Sequence, residues 1–81
     1  LKEEPLQIIE EYLMLVRSHM SPSTAEDVID ELRDYIVDAA AELGEGAVTV
    51  KSAKRAVARM GAPSEVAREY AASLVAEEKL R

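Results

Sequence analysis

Three groups of side chains are spaced so that chemistry is conceivable. Glu26, Asp27, Asp30, Glu31, Asp34, Asp38 and Glu42 crowd one stretch, and at about 100° per residue they share the side of a helix opposite Ile29 and Ile36. A divalent cation is what the Asp30, Asp34, Asp38 row could hold. Calcium takes roughly six to eight oxygens from a convergent set, whereas a straight helix offers a line, so a solvated face or docking strip is the simpler account and no metal ligand is assigned. Lys51, Arg55 and Arg59 recur every four residues, with Lys54 alongside. They could meet phosphates or an acidic partner, or stand in water beside the acids of the preceding helix. An exposed pair of that kind is worth only ~0–1 kcal/mol, so the stripe is not needed for folding. His19 is the single histidine. A general base needs a partner and a pocket, and a cation near a helix C-terminus already gains about 0.3–1 kcal/mol from the helix dipole.

The remaining nucleophile chemistry is excluded by type. There is no Cys, hence no thiol nucleophile, disulfide or cysteine metal site. Ser21, Ser23, Ser64 and Ser73 have no histidine beside them, and neither a G-x-S-x-G elbow nor a glycine-rich phosphate loop occurs. The sequence therefore assigns no catalytic residue and no cofactor, and the expectation is a non-enzyme.

The elements that carry these residues are helices. Leu6, Ile9, Leu13, Val16 and Met20 step by three and four, with Ile8, Tyr12 and Leu15 flanking them, and Pro5 suits a first helical turn. This gives helix 1 over about 4–19. Ser21-Pro22-Ser23-Thr24 is a break that offers two starts, a Ser23/Glu26 capping box or Ser21 followed by Pro22. Helix 2 is expected over about 24–43, with Ala25, Ile29, Leu32, Ile36, Ala40 and Leu43 inward and Gly44 left-handed after it. Thr49 caps helix 3, about 50–60, with Val50, Ala53, Val57 and Met60 inward. Helix 4, about 63–78, places Val66, Ala67, Tyr70 and Leu74 on one face, and beyond Leu74 the pattern decays. The corner is expected to use a left-handed Gly61 and Pro63 at the first helical position. The three tyrosines fall on or beside apolar stripes and are expected at the core or its edge. The fold class is all-α, a compact four-helix domain, and 1–81 is a single domain. It starts at Leu1 rather than Met, which suggests a piece of a longer protein.

Charge and composition narrow the partners. The chain carries a net charge of −6, with 48% hydrophobic and 32% charged residues, a balance of a folded domain. Residues 21–46 hold eight acids against one base, and residues 47–61 hold four bases and no acid. An acidic chain disfavours nucleic acid. The alternative, a small DNA-associated regulator using residues 50–78 as a helix-turn-helix, must place Glu65 and Glu69 where phosphates would sit. No apolar run reaches the ~18 residues a membrane span needs, so membrane contact is expected only through segments outside this chain.

Residues 52–70, from Ser52-Ala53-Lys54-Arg55 through Gly61-Ala62-Pro63-Ser64-Glu65-Val66-Ala67 to Tyr70, resemble the signature of HAAS-type helical signalling domains, in which a short helix is followed by Gly-Asp-Pro and a further helix. Ile9-Glu10-Glu11-Tyr12-Leu13 and Glu31-Leu32-Arg33-Asp34-Tyr35-Ile36 resemble the first two helices of that family. Ala62 departs from its usual Asp and lacks an N-cap acceptor, at a cost of about 0.5–2 kcal/mol to helix 4. The resemblance implies a non-enzymatic, cytoplasmic interaction or signalling unit, often ahead of membrane-spanning segments or encoded beside PadR-like regulators. A PadR-like regulator is the partner so implied; self-association is the partner that the width of the helix 1 apolar arc allows.

The core is expected to hold Ile9, Leu13, Val16, Ile29, Leu32, Ile36, Leu43, Val57, Met60, Val66, Tyr70 and Leu74. The apolar arc of helix 1 spans about 180°, against the ~100° that one-sided packing needs. Ile8, Met14 and Leu15 are therefore the expected contact surface, with Lys51, Arg55 and Arg59 as a second candidate.

Overall fold

The computed structural model describes the backbone of residues 3–79 and the side chains of residues 3–72. Four helices follow one another: α1 (Pro5–Arg17), α2 (Pro22–Leu43), α3 (Val50–Met60) and α4 (Pro63–Lys79). No strand occurs among the described residues, and the domain is all-α.

Local chemistry sets each helix end. α1 stops two residues short of expectation. The Ser18 hydroxyl donates to Leu15 O at 2.7 Å, and the amides of His19 and Met20 turn back onto Val16 and Arg17, so the last carbonyls are satisfied in a tight turn. α2 takes the earlier of its two starts. Ser21 is the N-cap, its hydroxyl accepts the Thr24 amide at 3.3 Å, and Pro22 stands first in the helix. α3 opens on a reciprocal box. Thr49 Oγ1 accepts the Ser52 amide at 3.0 Å, and Ser52 Oγ accepts the Thr49 amide at 2.8 Å.

The end of α2 corrects the expectation for Gly44, whose φ is −95°. The left-handed residue is Glu45, at φ 57°. Glu45 and Gly46 donate to the carbonyls of Glu42 and Ala41 at 3.2 and 2.8 Å, the paired bonds of a Schellman ending displaced by one residue. Gly44 is needed for a different reason. A Cβ there would lie 1.9 Å from Ala47 O, so the returning loop leaves no space for any side chain.

α1 packs against α2, α3 and α4, and α2 also packs against α3. Ile9, Leu13, Val16, Ile29, Leu32 and Ile36 are the largest fully buried side chains. Tyr12, Ala25, Val28, Ala40, Ala53, Ala56, Val66 and Ala67 are buried too. Leu43, Val57, Met60 and Tyr70, expected inside, are half-buried and border the core. The side chain of Leu74, and the decaying pattern beyond it, lie outside the described residues. α3 turns differently from its expected face: it buries Ser52, Ala53 and Ala56, while Val50 is only half-buried. Small side chains let its backbone approach α1 and α2, and its larger residues fill the margin. Tyr35 is a second correction, at 60% exposed.

Candidate interaction surfaces

The wide apolar arc of α1 divides into two unlike flanks. Ile8 is half-buried and packs against the core, whereas Leu15 beside it is 56% exposed. On the other flank, Leu6 and Met14 are 57% and 69% exposed. Ile8, Met14 and Leu15 thus form no single patch. At about 100° per residue, Leu6, Glu10, Leu13, Met14 and Arg17 share one strip along α1.

That strip borders a groove of about 230 Å³ between α1 and α2, lined by Glu10, Leu13, Met14, Arg17, Ile29 and Arg33. Its floor, Leu13 and Ile29, is apolar and almost fully buried. Its rim is charged. Arg33 Nε and Nη2 both donate to the Glu10 carboxylate, the latter at 2.9 Å, and Nη1 donates to Asp30 at 2.6 Å. The two-pronged bond holds Glu10 below the usual carboxylate range, and the same bond pushes Arg33 upward. Sequence reading missed this edge because Leu6 continues the core stripe in periodicity and only the position of α2 shows where the stripe stops being covered.

The basic residues of α3 lie on its outer face. Lys51, Lys54, Arg55 and Arg59 are all exposed. Lys54 pairs with Glu3 at 2.9 Å, ahead of α1, and not with the acids of α2. Lys51, Arg55 and Arg59 form no ion pair among the described residues. Lys51 and Arg55 line a shallow pocket of about 250 Å³ with Leu43, Gly44, Glu45, Thr49 and Ser52. The acids of α2 from Glu26 to Glu42 are exposed along its outer side. Among the described residues no three metal-binding side chains converge, and no helix is long and apolar enough to cross a membrane.

The α3–α4 corner is tied to α1 from a distance. Gly61 has φ 94° and ψ −165°, a region essentially reserved for glycine but extended rather than the left-handed helical one. Its carbonyl accepts the Tyr12 hydroxyl at 2.9 Å, and burial pushes the Tyr12 phenol up. Pro63 is the first residue of α4, and the amides of Glu65 and Val66 return to Ala62 O at 3.1 Å. Nothing in the spacing pointed to the Tyr12 bond, which joins residues 49 apart.

Comparison with curated proteins and with solved structures returned no match. The HAAS family model matches residues 11–69, a span that takes in Tyr12, Met14, Leu15, the basic stripe and the Gly61–Pro63 corner. HAAS domains are small, non-catalytic helical domains associated with signalling and with PadR-like partners. The match extends over more than half of the sequence and runs through all four helices, and the chain belongs to the HAAS family.

Proposed function

We propose that this domain is a non-enzymatic protein–protein interaction and signalling module, the cytoplasmic regulatory part of a membrane-associated protein, with a PadR-like regulator as its partner. The observation that carries the reading is the exposure of Leu6, Met14 and Leu15 on a helix whose inner face is already filled. Burying such residues against a partner recovers ~25 cal/mol per Å² of apolar area, and the charges around them supply the polar rim that interfaces carry. Lys51, Arg55 and Arg59, a concentrated positive face on an acidic chain, would steer an acidic surface of the partner into place.

Met14→Glu combined with Leu15→Glu is the test. Both positions are exposed, so helicity and the melting midpoint are expected to stay close to those of the parent chain. Affinity for the PadR-like regulator, measured by calorimetry, is expected to fall by tenfold or more. Unchanged affinity overturns α1 as the docking face. Ile8→Glu does not serve here, because the half-buried Ile8 packs against the core.

A further inference from the structure

We infer that the Leu6–Arg17 strip of α1 is a two-fold contact between two copies of this chain. This rests on the reading of α1 as a docking face and assigns its Leu6–Arg17 flank to a second copy. Glu10 and Arg17 stand seven residues apart, about 10 Å along the helix, and Leu13 and Met14 lie midway between them. Placing a second α1 antiparallel, with the symmetry axis between Leu13 and Met14, sets each Glu10 against the other copy's Arg17. The same operation sets each Met14 beside the other copy's Met14, along the exposed edge of the contact. A symmetric dimer requires a surface complementary to itself, and this strip has that property in charge. A parallel pairing lacks it: it opposes Glu10 to Glu10 and Arg17 to Arg17.

The side chains suit the geometry. Met14 is 69% exposed, and its flexible, polarizable thioether adapts readily to the second one across the axis. Glu10 already accepts two bonds from Arg33, but a carboxylate has about four lone-pair sites, so the other copy's Arg17 finds room on it. Arg17 is exposed and makes no ion pair among the described residues. A contact along one short helix falls at the small end of interface sizes, so a weak, concentration-dependent dimer is expected.

Sedimentation equilibrium of the intact chain at neutral pH tests this, with helicity of each variant checked by circular dichroism. The parent chain is expected to show a monomer–dimer equilibrium, and Met14→Glu to weaken it tenfold or more. Arg17→Glu alone and Glu10→Lys alone each oppose like charges in a homodimer and are expected to be monomeric. An equimolar mixture of those two variants restores both pairs and is expected to sediment as a 1:1 dimer. A parent chain that stays monomeric at millimolar concentration overturns the inference, as does a mixture that associates no better than its components. If the monomeric chain still binds the regulator and loses it in the Met14/Leu15 double variant, the second-copy assignment alone fails and α1 remains the docking face.

Discussion

The two halves of the molecule build one core from opposite materials. All six of the largest fully buried side chains belong to α1 and α2, whereas the buried residues of α3 are Ser52, Ala53 and Ala56, and the buried pair described on α4 is Val66 and Ala67. The first half contributes volume. The second contributes proximity, because small residues bring its backbone close to α1 and α2, and the Tyr12–Gly61 hydrogen bond ties it to α1. The lesson is that equal burial hides unequal sensitivity: the first half is vulnerable to lost volume, the second to added volume.

The largest effect that would break or sharpen this contrast is in α2. Leu32 is fully buried, and Leu32→Ala is expected to cost about 2–5 kcal/mol in denaturant unfolding, through lost transfer energy and the cavity left behind. Next comes Ala53→Leu, which adds volume where α3 meets its neighbours and is expected to cost about 1–3 kcal/mol. A neutral Ala53→Leu would show that α3 has slack against α1 and α2, and the contrast would fail.

The smallest effect is at the tie. Tyr12→Phe removes one hydrogen bond and is expected to cost about 0.5–1.5 kcal/mol at neutral pH. Burial raises the Tyr12 phenol above its ordinary value, so the folded state favours the neutral form. That contribution is complete below the unfolded value of about 10 and is lost as pH rises through the folded one. Thermal melts at neutral and alkaline pH should therefore converge more in Tyr12→Phe than in the parent chain. Tyr70 sustains part of the alkaline loss, since burial and then the charges of Glu31, Tyr35 and Glu69 push its phenol up as well.

Helix positions were legible in the sequence because their signals are local. Thr49 announces α3 within three residues, and Pro63 announces α4 by its own ring geometry. Inward faces were less legible wherever size and closeness conflict. Ala53 is inward as its spacing indicates, but Ser52 and Ala56 are buried beside it while the larger Val57 and Met60 only border the core, because small side chains permit the close contact. The interaction surface was legible in amount and not in layout. The arc of α1 was visibly too wide for one-sided packing, but whether Ile8, Leu15, Leu6 or Met14 supplied the surplus depended on where three other helices lie.

That α1 touches every other helix has a consequence during synthesis on the ribosome. It is the first of the four to emerge, at about 5–20 residues per second, and its apolar arc must wait for partners encoded much later. α2 arrives soon enough to form a hairpin with it. The side facing α4 stays uncovered until residues beyond Gly61 have left the exit tunnel, several seconds behind Tyr12. For that interval the nascent chain exposes apolar surface that the finished domain covers, and the Tyr12–Gly61 bond is among the last contacts able to form.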